Sequence, residues 1–294
     1  MKALFIINPL AGGYDRSAEV IYAVRKAVSS EKGIFEIKVT REKGHARRLA
    51  KEAVEKRFDV VFACGGDGTV NEVASSLVKT RALLGIIPTG SGNALAEALN
   101  VPEDPVAAIG LLNGRRTVEV DAGIFCGRYF FSTAGLGFDA VLSKRYGEGF
   151  LSRRFRGTLP YIPLALLEFP RFRPASFRIK TGKGDMRITP FILTAANTPN
   201  YGGRYVIAPG ANPFDGSLDV CVVANVNLVN APVLAYKFLK GRIHTFKGYS
   251  RIIACSLDIV SDSRVIAHVD GEPFECAGEI SIRVLHKGLK ALAG

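Results

Sequence analysis

The first 90 residues alternate between short apolar runs and segments whose apolar positions have helical spacing. The apolar runs predict strands at residues 3–7, 60–64 and 83–87, and an alternating segment predicts a further strand at residues 34–39. The segments between them predict helices at residues 17–29, 46–56 and 69–78. Such alternation is typical of a mostly parallel sheet with helices on both faces, whose ligands gather at the carboxyl ends of the strands.

The pattern changes near residue 118. Short strand-like runs separated by Gly, Pro, Asn and Asp follow, at residues 117–125, 129–134, 176–180, 189–196, 217–224, 251–260 and 264–270. Many short strands with few helices predict a predominantly antiparallel sheet. We therefore predict an α/β N-terminal domain with a mostly parallel sheet, residues 1–118, and a predominantly antiparallel β C-terminal domain, residues 119–294.

Composition supports a globular chain with two cores. The 294 residues are 48% hydrophobic, and the length favours two domains. The five cysteines are far apart and show no metal-ligand spacing, so we expect reduced thiols in a cytoplasmic protein. The start of the chain lacks the apolar core of a signal peptide, and no apolar run approaches the roughly 18 residues of a membrane span.

The net charge of +12 is concentrated in two clusters. The early cluster contains Arg41, Lys43, Arg47, Arg48 and Lys51, and the middle one Lys144, Arg145, Arg153, Arg154, Arg156, Arg171 and Arg173. Such a surplus fits nucleic acid, an anionic membrane, phosphorylated small molecules or a solvated basic face. Residues 149–156 and 159–167 interleave arginine with large apolar groups, which predicts either a lipid-headgroup surface or a core helix with exposed arginines.

A glycine-rich turn follows the third predicted strand. It reads Gly65-Gly66-Asp67-Gly68-Thr69 and leads into a helix. Glycines permit positive φ and let backbone N–H groups approach a ligand, while the helix start adds partial positive charge, so the turn suits phosphate. Asp67 would repel phosphate unless a divalent cation lay between them, which favours Mg²⁺. A tight turn without a ligand is the alternative interpretation.

Residues 65–73, GGDGTVNEV, resemble the nucleotide-binding signature of the diacylglycerol-kinase catalytic domain family, which includes bacterial lipid kinases and sphingosine and ceramide kinases. NAD kinases share the GGDGT core. Residues 8–13, residues 40–46 and residues 88–96 resemble three further loops of the family. The resemblance implies that ATP binds against Asn8, Thr40, Gly65, Gly66, Asp67, Gly68, Thr69, Glu72, Thr89, Gly90, Ser91, Gly92 and Asn93.

The chain departs from the family pattern in the loop at residues 88–96. Ala94 stands where most bacterial members carry aspartate, and Glu97 stands where arginine is usual, so the loop looks closer to the sphingosine-kinase version. No G-x-x-x-x-G-K-[ST] motif occurs, because Gly182-Lys183 is followed by Gly184. The G-x-G-x-x-A string at residues 135–140 is interpreted as a structural turn near the site.

Acidic motifs in the second domain complete the resemblance. Asp270-Gly271-Glu272 is a plausible hairpin turn on its own, and in the family it supplies the essential acid pair. Residues 212–219 resemble a family segment that holds a structural Mg²⁺, which implies Asp215 and the carbonyls of Asn212 and Ser217 as ligands. A plain Asp-Gly turn is the alternative there. Asp121 matches a further family acid near the site.

These motifs predict an ATP-dependent lipid kinase with its active site in the cleft between two domains. The predicted catalytic residues are Glu272, Asp270 and Asp67, and the sequence does not rank the first two as the base. Mg²⁺ is the expected metal, a diacylglycerol-like or sphingoid-like lipid the substrate, and an anionic membrane surface the peripheral partner. We expect no nucleic-acid partner, and a homodimer is an option. An NAD kinase and a nucleotide-binding regulator without turnover are the alternatives.

Overall fold

The computed structural model describes residues 1–11, 15–28, 33–114, 116–148, 161–181, 184–202 and 205–294. The chain divides into two compact units. The first contains Met1–Asp121 and Lys287–Gly294, and the second contains Ala122–His286. The predicted fold class is confirmed, because the first unit has a parallel sheet with helices and the second is mainly antiparallel. The domain boundary at residue 118 stays a prediction.

Among the described residues, the sheet of the first unit contains four parallel strands from the N-terminal part of the chain. They are β1 (Lys2–Ile7), β2 (Ile34–Val39), β3 (Val60–Gly65) and β4 (Leu83–Pro88), in the order β2-β1-β3-β4. Ile7 pairs with both Val39 and Cys64, and Cys64 pairs with Ile87. The four strands therefore end level with one another, which brings the following loops to one edge.

Helices of the first unit bury the apolar stripe that their sequence carries. They are α1 (Ser17–Val28), α2 (His45–Glu55), α3 (Asp67–Leu77), α4 (Ala94–Ala98) and α5 (Pro105–Gly114). In α2, for example, Ala46, Leu49, Ala50 and Ala53 are buried at helical spacing, while Lys51, Glu52 and Glu55 face solvent. The short α4 and the proline-led α5 did not appear in the sequence prediction.

An aromatic pair lies in the core of the first unit. The rings of Phe5 and Phe62 stack with centroids 4.6 Å apart, and both residues are fully buried. Gly85 lies opposite Phe62 in the register of β3 and β4. A Cβ at Gly85 would lie 2.4 Å from the Phe62 ring, so this strand glycine makes room for the ring.

The described residues of the second unit contain further strands, some of them shared with the first unit. They are β5 (Thr117–Phe125), β6 (Arg128–Phe130), β7 (Thr133–Gly137), β8 (Phe177–Thr181), β9 (Gly184–Ile188), β10 (Ile192–Ala196), β11 (Leu218–Val223), β12 (Tyr249–Ala254), β13 (Ser256–Val269) and β14 (Glu272–Leu292). The main path is β12-β11-β10-β7-β13-β14, with hairpins β5–β6 and β8–β9 beside it. The last residues of β14 return to the first unit, where Ala291 pairs with Leu84 of β4.

The sequence prediction misplaced the strand boundaries within residues 251–270 and did not include β14. Residues 251–260 and 264–270 were predicted as two strands, whereas β12 ends at Ala254 and β13 runs on to Val269. The polar residues 261–264 form an irregularity within β13, between Ser261 and Val265, and not a loop. The 21-residue β14 carries so many polar side chains that its apolar period is weak.

Helices on the second unit cover an aromatic cluster. They are α6 (Phe138–Glu148), α7 (Tyr161–Glu168) and α8 (Ala231–Leu239), followed by a 3₁₀ turn at Ile243–Thr245. Phe138 stacks on Phe191 with centroids 4.7 Å apart. Among the described residues, no helix is long and apolar enough to cross a membrane. Residues 149–160, which hold most of the predicted basic and apolar segment, lie outside the described residues.

Candidate active site

Two glycine-rich turns touch at the carboxyl edge of the first sheet. Gly66 follows β3 and Gly90 follows β4. A Cβ at Gly90 would lie 2.3 Å from the Cα of Gly66, and a Cβ at Gly66 would lie 3.1 Å from the Cα of Gly90. Glycines permit positive φ, but Gly66 has φ −92° and neither Gly65 nor Gly68 has a positive φ. Gly66 and Gly90 therefore serve a close approach of two backbones.

Asp67 braces the same two turns through its carboxylate. Oδ2 accepts the N–H of Asn93 at 2.9 Å, and Oδ1 accepts the N–H of Ala94 at 2.8 Å. Asn93 has φ 58° and closes its own turn, because its Oδ1 accepts the N–H of Gly90 at 3.1 Å and its Nδ2 donates to the Gly90 carbonyl at 2.8 Å. The contacts that the structure shows for Asp67 are thus positioning contacts, and its metal role stays a prediction.

Asn8 joins the first loop to this assembly. Its Nδ2 donates to the Oγ1 of Thr69 at 2.9 Å, and its Oδ1 accepts the N–H of Leu10 at 3.0 Å. Thr69 is 6% exposed and packs so tightly on Gly65 that a Cβ there would lie 2.5 Å from its side chain. Three of the predicted loops are therefore linked by side-chain hydrogen bonds and backbone packing.

Glu72 has a structural contact that the sequence analysis did not foresee. Its Oε1 accepts the N–H of Gly44 at 2.7 Å, and its Oε2 accepts the N–H of Arg47 at 3.3 Å. Gly44 has φ 82° and precedes α2, so Glu72 of α3 caps the start of α2. This contact fixes the loop that begins at Thr40, whose N–H donates to the Ile7 carbonyl at 2.8 Å. The ATP contacts of Glu72 and Thr40 stay predictions.

The remaining predicted residues of the first unit lie at the same edge or in its core. Thr89 is buried and donates its N–H to the Gly65 carbonyl at 3.1 Å, and Ser91 and Gly92 continue that turn. Asp121, near the end of the first unit, is fully buried. Its Oδ1 accepts the N–H of Lys287 at 2.7 Å. This bond ties β5 to the returning end of β14 within the first unit.

In the second unit, Asp270 and Gly271 form the tight turn of the β13–β14 hairpin. Val269 pairs with Glu272, so the turn has two residues, and their φ values are 46° and 81°. Positive φ at both positions is the mark of a type I′ turn, for which Asp-Gly is a preferred sequence. The sequence analysis considered Asp270-Gly271-Glu272 either as a hairpin turn or as an acid pair. In the structure Asp270 lies in the turn itself, and Glu272 is the first residue of β14.

The carboxylate of Asp270 lies in a nest of three backbone N–H groups. Oδ2 accepts from Phe131 at 2.9 Å, and Oδ1 accepts from Ser132 at 2.8 Å and from Thr133 at 3.1 Å. The Asp270 N–H in turn donates to the Thr133 carbonyl at 2.8 Å. Asp270 therefore anchors the hairpin turn to the segment between β6 and β7, which sets the position from which Glu272 begins.

The predicted metal loop at residues 212–217 is an exposed Asx turn. The Oδ1 of Asp215 accepts the Ser217 N–H at 2.9 Å and the Ser217 hydroxyl at 2.7 Å, while the Oδ1 of Asn212 accepts the Phe214 N–H at 3.2 Å. The donor set of one carboxylate and two carbonyls contains oxygen only, which fits a hard cation such as Mg²⁺. The described residues contain no cluster of three or more His, Cys, Asp or Glu side chains suited to a metal. The ligand assignment stays a prediction.

A buried polar cluster in the second unit was missed by sequence reasoning. Oδ2 of Asp139 lies 2.8 Å from Thr194 Oγ1, 2.9 Å from Tyr201 Oη and 3.2 Å from His268 Nε2. Burial, with the nearby Asp139 charge, raises the pKa of Tyr201 well above its ordinary value, so the phenol is a donor. A Cβ at Gly135 would lie 2.8 Å from Asp139 Oδ2. Asp139 belongs to the string at residues 135–140, which the sequence analysis interpreted as a structural turn. That string was the available signal for this cluster.

Comparison with known families supports the fold and motif assignments. The model of the diacylglycerol kinase catalytic domain matches residues 2–125, and the model of the YegS C-terminal NAD kinase beta sandwich-like domain matches residues 132–290. The class defined by these two domains is that of the lipid kinases.

Several curated relatives carry names of the same class. A probable lipid kinase YegS-like from Chromohalobacter salexigens is 34% identical, over 64% of this chain and 61% of that relative. A diacylglycerol kinase from Bacillus subtilis is 32% identical, over 67% and 66%, and a probable lipid kinase YegS-like from Pseudomonas aeruginosa is 30% identical, over 76% and 72%. The alignments thus span about three fifths to three quarters of these relatives.

Solved structures show the same fold. A diacylglycerol kinase from Bacillus anthracis aligns with a TM-score of 0.74 at 20% identity, and a putative one aligns with a TM-score of 0.78 at 21% identity. Each alignment covers 100% of this chain and 97% of the other. The chain belongs to the diacylglycerol kinase family. The predicted family is confirmed, as is the predicted enzyme class of a lipid kinase at the level of this family.

Proposed function

We propose that this protein transfers the γ-phosphoryl group of ATP to a hydroxyl group of a lipid. The observation that carries the proposal is the contact between the Gly66 and Gly90 turns, braced by Asp67 at the carboxyl edge of a parallel sheet. Glycine turns at this edge offer backbone N–H groups to phosphate oxygens, and the start of α3 adds partial positive charge. Asn8, Thr69 and Asn93 hold the turns in place and are the proposed nucleotide contacts.

Glu272 is the proposed general base. The carboxylate of Asp270 is held by three backbone N–H groups and serves the turn, so we assign the proton transfer to Glu272. Glu272 takes the proton of the lipid hydroxyl, the hydroxyl oxygen bonds to the γ-phosphorus, and the bond from that phosphorus to the β-phosphate oxygen breaks to release ADP. Positioning of the reacting groups and neutralisation of charge supply most of the rate.

Mg²⁺ is the proposed metal of this reaction. When bound, it neutralises phosphate charge. Asp215 with the carbonyls of Asn212 and Ser217 fits a hard cation by its oxygen donors, and Asp121 is the further acid assigned by family resemblance. Ala94 occupies the position at which most bacterial relatives carry aspartate, so this chain places an apolar, 1% exposed side chain there.

The proposed substrate class also implies where the enzyme acts. Its acceptor resides in a bilayer, and the net charge of +12 favours peripheral association with an anionic membrane from the cytoplasmic side. A diacylglycerol-like or sphingoid-like lipid is the proposed acceptor. The second candidate is NAD, because the C-terminal domain model is described as similar to that of NAD kinase.

The test is transfer of labelled γ-phosphate from ATP in mixed micelles that contain diacylglycerol, sphingosine, phosphatidylglycerol or no lipid, with NAD as a parallel acceptor. We expect a phosphorylated lipid whose rate of formation falls about 100-fold in Glu272→Gln while ATP binding is retained. Glu279→Gln, a matched change on the same strand, should keep its activity. Phosphorylated NAD alone, or ATP binding without any product, would overturn the proposal and support the NAD kinase or the regulator.

A further inference from the structure

Helix α8 is apolar on both of its faces. Leu234 is 7% exposed and Phe238 is half-buried, and both pack against the aromatic cluster of the second unit. On the opposite face, Val233, Tyr236 and Leu239 are 49%, 63% and 46% exposed. An ordinary surface helix turns a polar face to water, whereas a helix that is hydrophobic all round is covered by protein or by lipid. The outer face of α8 therefore lacks the chemistry of a solvated surface.

The loop before α8 extends this apolar face. Leu228 and Val229 are 76% and 87% exposed at its tip. Hydrogen bonds between two asparagines close the loop, because Asn227 Oδ1 accepts the N–H groups of Val229 and Asn230 at 3.0 and 3.1 Å, and Asn230 Oδ1 accepts the Asn227 N–H at 2.8 Å. A closed turn thus holds two large apolar side chains in solvent.

The chain segment that contains the apolar face has basic residues and no acidic ones. Residues 220–257 contain no Asp or Glu, and their basic residues are Lys237, Lys240, Arg242, Lys247 and Arg251. Lys237 donates to the Thr245 carbonyl, and Arg251 pairs with Asp219. The side chains exposed to solvent are those of Lys240, Arg242 and Lys247, so their positive charges are available to a partner. Apolar side chains beside lysine and arginine match a surface that is anionic at its headgroups and apolar beneath them.

We propose that Leu228, Val229, Val233, Tyr236 and Leu239, which we call the α8 surface, dock the second unit on an anionic lipid bilayer. Leu228 and Val229 enter the interfacial region, and Lys240, Arg242 and Lys247 lie against the acidic headgroups. The choice of a bilayer over other partners depends on the proposed function, since a lipid kinase must reach a substrate in the membrane. The physical interaction itself needs neither ATP nor turnover.

The absence of tryptophan from the chain permits a direct test. A Leu228→Trp variant carries one fluorophore at the loop tip, and Tyr22→Trp is its control, since Tyr22 is 68% exposed on α1 of the first unit. With vesicles of phosphatidylglycerol and phosphatidylcholine, we expect a blue shift and quenching by brominated lipid in Leu228→Trp only. Vesicles of phosphatidylcholine alone should give a much smaller shift. A blue shift in Tyr22→Trp and none in Leu228→Trp would overturn the proposal.

Sedimentation with the same vesicles tests the energetic contribution. Leu228→Ser/Val229→Ser should lower the partition coefficient about tenfold or more, because two apolar side chains no longer leave water. Tyr22→Ser/Ile34→Ser, which removes two exposed apolar side chains from the first unit, should leave it unchanged. Lys240→Glu/Lys247→Glu should weaken binding more than the charge-matched control Lys51→Glu/Lys290→Glu. Equal binding by Leu228→Ser/Val229→Ser and the parent chain would overturn the proposal.

Two further measurements separate this proposal from its rivals. If the α8 surface binds a second copy of the chain, light scattering should show a dimer that Leu228→Ser/Val229→Ser dissociates while vesicle binding stays unchanged, and that result would overturn the bilayer. Phosphoryl transfer to lipid in detergent micelles should be retained in Leu228→Ser/Val229→Ser. Failure of transfer in the parent chain would reject the kinase proposal. The insertion of residue 228 into vesicles would still be decided by the fluorescence measurement alone.

Discussion

Asp67 and Asn93 join the two glycine-rich turns of the first unit, through a hydrogen bond of 2.9 Å from the Asn93 N–H to Asp67 Oδ2. The neighbouring N–H of Ala94 donates to the other carboxylate oxygen. The aspartate of the Gly-Gly-Asp-Gly motif therefore holds a second loop, 26 residues further along the chain, against its own. A group in that position affects both the stability of the edge and the geometry of the proposed phosphate site.

Asp67→Ala should destabilise the protein and weaken ATP binding together. Two charge-assisted hydrogen bonds are lost, which lowers the free energy of unfolding by about 2 to 3 kcal/mol. Asp67→Asn retains one acceptor oxygen and should lie between Asp67→Ala and the parent chain. The measurements are urea denaturation and calorimetric titration with ATP. Unchanged stability in Asp67→Ala combined with lost turnover would contradict the brace and favour a metal-ligand role.

Gly90→Ala should disrupt the contact between the two turns. Its Cβ would lie 2.3 Å from the Cα of Gly66, and a backbone atom cannot rotate away as a side chain can. We expect a loss of about 1 to 3 kcal/mol in stability and weaker ATP binding. Gly110→Ala in α5 is the control, because no atom lies within 4 Å of its added Cβ. Alanine favours a helix over glycine, so the stability of this variant should rise by up to about 1 kcal/mol. Equal melting temperatures for the two variants would contradict this account.

The loops of the first unit could be predicted from sequence because their signals are local. Buried parallel strands such as β3 appear as short apolar runs. The alternating segments β2 and β5 also have the predicted bounds. The motif at residues 65–69 was placed correctly between a strand and a helix. The contacts of its residues could not be predicted, because the partners of Asp67 and Glu72 are backbone N–H groups that lie 25 to 28 residues away in sequence. No side-chain pattern reports such partners.

The second unit was predicted less well for the same reason. Asp139, Thr194, Tyr201 and His268 come from four separate segments and meet only through the antiparallel pairing of β7, β10 and β13. Each side chain alone is an ordinary polar residue in a helix, a strand or a loop. The Asp-Gly-Glu turn was recognised, but the three N–H groups that hold Asp270 lie in residues 131–133, far away in sequence.

Substitutions at Asp270 should mainly lower stability, whereas substitutions at Glu272 should mainly lower turnover. Asp270→Ala removes the acceptor of three backbone N–H groups and places alanine at a φ of 46°, so we expect a loss of about 3 kcal/mol. Asp270→Asn keeps one acceptor and tolerates that φ, so its loss should be smaller. Glu272→Gln should leave the unfolding midpoint in urea nearly unchanged and reduce kcat.

Asp262→Ala is the stability control for this comparison. Asp262 lies on β13, the strand before the Asp270 turn, in an exposed pair with Arg178, and such pairs contribute about 0 to 1 kcal/mol. A strong loss of stability in Glu272→Gln, or none in Asp270→Ala, would reverse the roles that we assign to the two carboxylates.

Cys126 should react with alkylating reagents at lower pH than an ordinary thiol. The neighbouring Cys276 thiol donates a hydrogen bond to Cys126, and this bond lowers the pKa of Cys126 most. Partial burial opposes it, while a backbone hydrogen bond with Ser281 and the positive charge of Arg128 support it, so the pKa falls from 9.0 to about 7. The thiolate is the reactive form, so the rate of iodoacetamide labelling should rise about tenfold between pH 6 and pH 8. Cys64 should stay unlabelled in the folded protein, because burial raises the pKa of its thiol. Peptide mass spectrometry resolves the sites, and in Cys276→Ala the rise should move to higher pH; an unmoved profile would show that Cys276 does not set the reactivity of Cys126.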